Sequence, residues 1–316
     1  MAGRRPRHQT PFLLAPDVSR ALETGAAVVA LETAVLTHGL PQPVNFDLAC
    51  NMEVAVRDEA AVPATIGAVE GHIRVGIPRP DLQRLAESQD CDKLGARDLA
   101  AAVVRKRSGG TTVGATMFVA ARVGITVLAT GGIGGLHREN PYDVSADLYG
   151  LATTPMIVVC SGAKSILNLP ATLELLESMS VPVATYRADE FPSFYSRDSG
   201  LPAQLKFETP EEIAEYWTAM QRLGAAGALI VANPVPEAEA IPEAEIAPAL
   251  SQASEEARKQ SWGGKDLTPS LLHRVTELSG GRTLRANLAL LLSNAHLAAR
   301  IAVELSRREG RRERLV

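Results

Sequence analysis

The chain has 316 residues, of which 46% are hydrophobic, 22% charged and only 4% aromatic. This composition is typical of a folded globular protein and excludes a disordered or fibrous one. Lys and Arg total 32 against 36 Asp and Glu, and the formal charge of −4 argues against a sequence-tolerant binder of nucleic acid. No apolar run approaches the roughly 20 residues of a membrane helix. The three cysteines form no CxxC pair, which favours a reducing, cytoplasmic location.

Short apolar runs separated by helical patterns predict the strands of a buried sheet. Two alternating runs, 65–69 and 72–75, flank Glu70–Gly71 and predict a hairpin. The other predicted strands are 26–31, 125–129, 156–160, 183–186 and 228–231.

Helical spacing predicts helices between these strands, over 44–61, 97–107 and 113–122, with Gly109–Gly110 as a break. Thr209-Pro-Glu-Glu212 predicts a helix start with a capping box, and Thr268-Pro predicts another after the loop Gly263–Gly264. The last forty residues are helical in pattern apart from Gly280–Gly281.

This alternation predicts an α/β fold, with a mainly parallel sheet flanked by helices on both faces (α/β/α). We find no repeat or linker, so we expect one large catalytic domain over 1–316. The basic segments near the two ends predict solvated tails at about 1–15 and 308–316.

Two ionisable residues follow predicted buried strands, where ligands of α/β sheets bind. Glu32 interrupts the apolar run AAVVALETAVL; it is either a structural carboxylate bonded to a turn or a general acid with a raised pKa. Lys164 follows Ser-Gly-Ala after the 156–160 strand. It either neutralises a carboxylate or extends into solvent, or, in a dry cleft, serves as an amine that forms a Schiff base.

A glycine-rich loop follows the 125–129 strand in the segment TGGIGGLHR, which allows a ligand close to the backbone. Asp143 and Asp147, four residues apart, either share one divalent cation with waters or favour the dipole of a helix that Ser145 caps. The segment GTTVGAT (110–116) predicts an anion seat at a helix start, and Lys93 adds a cation.

At these same positions the sequence resembles the pseudouridine-5′-phosphate glycosidase family, also described as the indigoidine synthase A family. The resemblance extends over nearly the whole chain, from about residue 28 to 298. The stretches that carry it are VALETAVLTHGLP, AVPATIGAVEG, GTTVGATM, FVAARVGITVLATGGIGGLHR, DVSADL, VVCSGAKSILNLPATLELLES, VANPVPE and LRANLALLLSNAHLAA.

The resemblance implies reversible cleavage of the C–C glycosidic bond of pseudouridine 5′-phosphate to uracil and ribose 5-phosphate. Lys164 matches the nucleophile that forms an imine with C1 of the opened ribose, and Glu32 matches the proton donor. Asp143 matches the residue that binds Mn²⁺, one per subunit, partly through waters. Positions that match substrate contacts are Lys93, Val113, Ser145, Ala146 and Asp147. Further candidate contacts to substrate or phosphate are Thr112, Thr130, His137 and Asn287.

The resemblance further implies a cytoplasmic homotrimer with small-molecule substrates and neither a nucleic-acid nor a membrane partner. Two features depart from the family pattern: the segment ENPY (139–142) is short, and Arg285 stands where a lysine is expected. Two other functions stay open. One is a Schiff-base lyase or aldolase for another sugar phosphate, and the other is a sugar-phosphate-binding protein without activity.

Overall fold

The computed structural model describes residues 11–138, 142–260, 262 and 267–313. The strands in these ranges are β1 Phe12–Leu14, β2 Val28–Leu31, β3 Val62–Val69, β4 His72–Val75, β5 Asp92–Leu94, β6 Gly109–Thr111, β7 Val127–Ala129, β8 Ile157–Cys160, β9 Val183–Tyr186, β10 Lys206–Phe207 and β11 Leu229–Ala232. The helices are α1 Pro16–Glu23, α2 Val44–Asp58, α3 Arg79–Glu87, α4 Leu99–Val104, α5 Val113–Val123, α6 Ala146–Thr153, α7 Leu169–Ser178, α8 Pro210–Arg222, α9 Glu243–Lys259, α10 Leu267–Leu278 and α11 Arg282–Glu313.

One mixed sheet forms the centre of the fold, in the order β1-β4-β3-β2-β7-β8-β11-β9-β10. Two antiparallel pairings join β3 to β4 and to β6, and the remaining pairings in the described chain are parallel. The predicted hairpin is confirmed, because β3 and β4 pair across Glu70–Gly71 and Glu70 has a positive φ of 50°. The other predicted strands are also confirmed, with ends that differ by at most two residues.

Helices flank the sheet, as the sequence predicts. The helix α11 packs against β2, β7 and β8 beside α2 and α8, whereas α5 and α6 contact each other and α5 also contacts β2 and β3. By length and hydropathy, residues 282–308 of α11 would qualify as a membrane span. Its buried residues, however, belong to the core of this domain; among them are Leu290, Leu291, Ala295, Leu297, Ala298 and Ile301.

The segment around Gly109–Gly110 is more than a break between helices. Gly109 lies in β6, which pairs with both β3 and β5, and neither β5 nor β6 is predicted from the sequence. A Cβ atom at Gly109 would collide with the carbonyl oxygen of Asp92, so glycine is required for this close approach. The predicted 97–107 helix is also shorter, with a 3₁₀ turn at Ala96–Asp98 before α4.

The start of α8 has the predicted cap but not the full capping box. Thr209 Oγ1 accepts a hydrogen bond from the backbone N–H of Glu212 at 3.2 Å. The Glu212 carboxylate accepts from the N–H of Glu208 at 2.7 Å, one residue earlier than a capping box requires. Both bonds satisfy amides that the helix itself leaves unpaired.

The predicted tails are shorter than expected in the described residues. Within 1–15, Phe12–Leu14 pair with β4 as a parallel strand, because the apolar FLL segment has a sheet edge to cover. Within 308–316, α11 continues to Glu313, and the Arg308 side chain donates to the carbonyl oxygen of Glu211. Residues 1–10 and the Gly263–Gly264 loop lie outside the described residues.

Candidate active site

The candidate site lies at the point in the sheet where successive strands are added on opposite sides of β2. From β2 the chain first adds β3 on one side and later adds β7 and then β8 on the other. In open α/β sheets the crevice at such a switch point is the usual ligand site. Glu32 follows β2 directly, Thr130 follows β7, and the segment that leads to Lys164 follows β8.

Glu32 is buried, with 8% of its surface exposed, and Thr130 Oγ1 donates a hydrogen bond of 2.5 Å to its Oε1 atom. Burial raises the pKa of the Glu32 carboxyl, and the Lys164 ammonium and the Thr130 hydroxyl partly oppose that rise. The net direction is upward, so Glu32 keeps its proton at a higher pH than an ordinary glutamate. This property suits a proton donor.

Lys164 is held in place by a tight turn after β8. Gly162 has a positive φ of 89°, and a Cβ atom there would collide with the carbonyl oxygen of Pro192. The backbone N–H of Lys164 donates to the carbonyl oxygen of Ile133, in the glycine-rich loop, at 3.2 Å. The turn therefore fixes the base of a half-buried lysine beside that loop.

One cavity brings four of the predicted site residues together: Glu32, Lys93, Lys164 and Asn287. We call it the central cavity; the free space in it, including open solvent, is about 470 Å³. Its other lining residues are Ala34, Val35, His38, Gly39, Gly131, Gly132, Phe194, Thr268, Pro269 and Leu272. The cavity thus combines a carboxyl group, two amines and an amide with an apolar wall.

The Asp147 carboxylate is bound by two backbone amides. Its Oδ1 accepts from the N–H of Gly114 at 2.8 Å, and its Oδ2 accepts from the N–H of Gly134 at 3.1 Å. Ser145 Oγ accepts from the N–H of Asp147 at 3.2 Å and caps α6, as predicted. The Asp147 carboxylate therefore ties the starts of α5 and α6 to the glycine-rich loop.

Asp143 is half-buried beside His137, whose backbone N–H donates to the Asp143 carbonyl oxygen at 3.1 Å. Burial lowers the pKa of His137, and the Asp143 carboxylate opposes this shift. In the part of the chain that the structure describes, no three His, Cys, Asp or Glu side chains gather as a metal site. A hard cation bound by Asp143 would therefore keep several waters.

The start of α5 presents main-chain groups rather than side chains. Thr112 Oγ1 accepts from the N–H of Ala115 at 3.4 Å, so its hydroxyl caps the helix. Val113, the first residue of α5, is buried. Ala146, the first residue of α6, is exposed. We call His137, Asp143, Ser145, Ala146 and Asp147 the rim; these residues do not line the central cavity.

Sequence reasoning missed several residues of the site. His38, Phe194 and Leu272 line the central cavity. We call the buried polar residues next to its lining, Thr130, Ser161 and Asn294, its floor; Asn294 donates a hydrogen bond to the carbonyl oxygen of Thr130. His38 and Asn294 lie in motifs that carry the family resemblance, VLTHG and SNAH, but their positions in the sheet could not be read from those letters. Phe194 has a left-handed φ of 59°, which no sequence pattern indicated.

Comparisons with known proteins cover almost the whole chain. The family model described as indigoidine synthase A like protein matches residues 17–304. A pseudouridine-5′-phosphate glycosidase of Methylobacterium nodulans is 51% identical over 92% of this chain and 87% of its own length. That of Staphylococcus aureus is 43% identical over 92% and 95%.

Two solved structures have the same fold. An indigoidine synthase A-like protein from Thermotoga maritima has a TM-score of 0.88 and 36% identity, over 96% of this chain and 100% of its own. The prealnumycin C-glycosynthase AlnA, solved with ribulose 5-phosphate, has a TM-score of 0.87 and 33% identity, over 95% and 98%. The chain therefore belongs to the indigoidine synthase A family, the family of the pseudouridine-5′-phosphate glycosidases.

Proposed function

We propose that this chain reversibly cleaves the C–C glycosidic bond of pseudouridine 5′-phosphate, with uracil and ribose 5-phosphate as products. The observation that carries the proposal is the meeting of Glu32 and Lys164 in the central cavity: a buried carboxyl that follows β2 and an amine beyond the end of β8, with β7 between the two strands. Family membership supplies the substrate class.

The two side chains supply what this bond lacks. A base attached through carbon is a poor leaving group, so cleavage needs an electron pair that pushes from the sugar and a proton at the base carbon. The Lys164 amine bonds to C1 as the bond between C1 and the ring oxygen breaks, and that oxygen takes a proton from the new ammonium group, so the ribose opens. As the bond between C1 and the base then breaks, its electron pair stays with the uracil carbon, which takes the Glu32 proton. The imine that remains on Lys164 is hydrolysed by one water, which releases ribose 5-phosphate and restores the amine.

The other predicted residues hold the substrate in this proposal. Lys93 supplies a positive charge at the cavity, and Val113 and residues 145–147 lie at the starts of α5 and α6. We assign the 5′-phosphate to this region and a contact to the base or sugar to Asn287. Thr130 acts through Glu32, because its hydroxyl bonds that carboxyl. Thr112 caps α5 beneath the phosphate, and His137 stands beside Asp143.

The Asp143 carboxylate suits one hard divalent cation per subunit that retains waters, and we propose Mn²⁺. When bound, the ion would supply positive charge and ordered waters beside the substrate. Asp143 would hold it, and His137, whose pKa is lowered by burial, would stay neutral beside it. The proposal also includes a homotrimer in the cytoplasm, as the family resemblance implies; light scattering of the purified protein measures the subunit number.

The test is to incubate the purified protein with uracil, ribose 5-phosphate and Mn²⁺ and to separate the products by chromatography. We expect pseudouridine 5′-phosphate, and we expect its formation to stop on chelation and resume with added Mn²⁺. A second sample with ribose 5-phosphate alone is treated with borohydride, and the sugar mass should appear on the peptide that contains Lys164.

The outcomes separate this proposal from its rivals. Labelled Lys164 without a nucleoside product would favour a lyase or aldolase for another sugar phosphate. The similarity to a C-glycosynthase suggests a further rival, an enzyme that joins the sugar phosphate to an aromatic acceptor other than uracil. A product with such an acceptor but none with uracil would favour this rival. Ribose 5-phosphate binding with neither label nor product would leave a binding protein.

A further inference from the structure

Asn294 is a polar side chain in an apolar part of α11. It has no exposed surface, and neither do its helix neighbours Leu290, Leu291, Leu297 and Ala298. An amide in such surroundings destabilises the fold unless its hydrogen-bonding groups have partners. The partners of Asn294 therefore show which part of the molecule the amide holds.

Three partners of Asn294 are the first residues after three adjacent strands, β7, β8 and β11. Its Nδ2 donates to the carbonyl oxygen of Thr130 at 2.8 Å and to Ser161 Oγ at 3.1 Å. Its Oδ1 accepts from Asn233 Nδ2 at 2.9 Å. The side-chain amide of Asn294, on α11, thus joins the ends of these three strands.

Two of these partners lead directly to the proposed reacting groups. Thr130 donates its hydroxyl to Glu32, and Ser161 begins the tight turn that ends at Lys164. The N–H of Ser161 also donates to the carbonyl oxygen of Gly131 at 2.8 Å. Asn294 is therefore linked to the Glu32 carboxyl through one residue, Thr130. It is linked to the Lys164 amine through Ser161, which lies three residues before Lys164 in the chain.

We infer that Asn294 is a positioning residue, which fixes the distance between the Glu32 carboxyl and the Lys164 amine by holding the ends of β7 and β8 together. This inference rests on the proposed function, because it assigns those two groups to one reaction. A displacement of about 1 Å between reacting groups can lower a rate about 100-fold. Loss of the amide should therefore lower kcat rather than substrate binding.

The test compares Asn294→Leu and Asn294→Asp with the unaltered protein in pseudouridine 5′-phosphate synthesis. Asn294→Leu keeps a similar volume but removes every hydrogen bond, and we expect kcat to fall about 100-fold while the KM for ribose 5-phosphate changes less than about threefold. Thr283→Val is the matched control, since Thr283 is equally buried on α11 but bonds to Ser279 and Thr276 instead of to the strand ends. We expect its kcat to stay within about threefold.

Asn294→Asp supplies a readout that a merely structural role would not change. A protonated carboxyl offers one donor and one acceptor, as the amide does towards Thr130 and Asn233, whereas an ionised carboxyl offers only acceptors. The hydrogen-bond partners of Asn294 are all uncharged. The ratio of the variant's kcat to that of the unaltered protein should rise about tenfold as the pH falls from about 8 to about 5, with the folded fraction measured by circular dichroism at each pH.

A pH-independent ratio in folded Asn294→Asp, or a folded Asn294→Leu variant with kcat within about threefold of normal, would overturn the inference and leave the proposed function intact. If Asn294→Leu does not fold, the pH series of Asn294→Asp decides. An unaltered protein that makes no product would overturn both proposals.

Discussion

The central cavity and the rim both carry predicted site residues, but they are built differently. On the floor of the central cavity, buried polar groups bond to one another: Thr130 to Glu32, and Asn294 to Thr130 and Ser161. On the rim, only Asp147 is buried, and its carboxylate is bound by two backbone amides. Asp143 and Ser145 are half-buried and Ala146 is exposed.

Because of this difference, we expect the floor to position the reacting groups and the rim to bind groups that exchange with solvent. A floor whose buried polar groups bond to one another would hold the proposed reacting groups in one arrangement. A partly exposed rim suits groups that exchange, such as a phosphate or a hydrated metal ion. Substitutions in the two regions should therefore change different measured quantities.

The largest effect is expected in the central cavity, at the Lys164 amine. Lys164→Ala should lower turnover on the order of 10⁴-fold or more, as loss of a nucleophile does, and should abolish borohydride labelling. The matched control is Lys206→Ala, because Lys206 pairs with Asp189 at the surface, 2.8 Å away and outside the central cavity. Normal turnover in Lys164→Ala would remove this residue from the chemistry.

Glu32→Gln should lower the rate of cleavage roughly 10²- to 10⁴-fold but keep imine labelling at Lys164. Because the pKa of Glu32 is raised, the unaltered protein should hold the acid form to a higher pH than usual and lose cleavage activity as the pH rises through that pKa. Glu32→Gln should lack this alkaline decline. Glu53→Gln is the control, since Glu53 also accepts from a threonine, Thr65, at 2.6 Å; its pH profile should match that of the unaltered protein.

On the rim, a pair of aspartates separates metal binding from structure. Asp143→Asn should weaken Mn²⁺ binding at least about tenfold, measured as free Mn²⁺ by electron paramagnetic resonance. Asp147→Asn should instead lower the free energy of unfolding by about 1–3 kcal/mol, because one backbone amide would face an NH₂ group. If Asp147→Asn weakened Mn²⁺ binding more than Asp143→Asn did, the assignment of metal binding to Asp143 and of a structural role to Asp147 would be reversed.

The smallest effect lies outside both regions. Thr209→Ala removes the cap of α8 and should lower the free energy of unfolding by about 1 kcal/mol, without a change in kcat.

Ser145→Ala removes a similar cap on the rim; it should lower the free energy of unfolding by a similar amount and should also raise KM. Equal KM values in the two variants would show that Ser145 acts only as a cap.

The sequence predicts those parts of this fold whose signals are local. Apolar runs locate β2, β7 and β8, and the first polar residue after β2 is the buried Glu32. The strands β5 and β6 were missed because they are three residues each and β6 begins with two glycines, whose pairing depends on space rather than propensity.

The polar floor could not be predicted for a different reason. The amide of Asn294 meets Thr130 across 164 positions of sequence, and no local pattern encodes such a contact. Asp147 is a second such case: its spacing from Asp143 left a shared cation and an acid at a helix start equally open, and neither interpretation included the two glycine amides that bind its carboxylate. Loops with little side-chain bulk expose backbone N–H groups that compete for acids, and spacing alone does not reveal this competition.

The position of α11 along the chain has a consequence for synthesis on the ribosome. The strands β2, β7 and β8 are translated first, yet the helix that covers them and supplies Asn294 follows β8 by more than 120 residues. At about 5–20 residues per second, this delay amounts to several seconds or more, during which the nascent sheet has an uncovered apolar face. The site is complete only when this last helix docks, because the helix carries both Asn287 and Asn294.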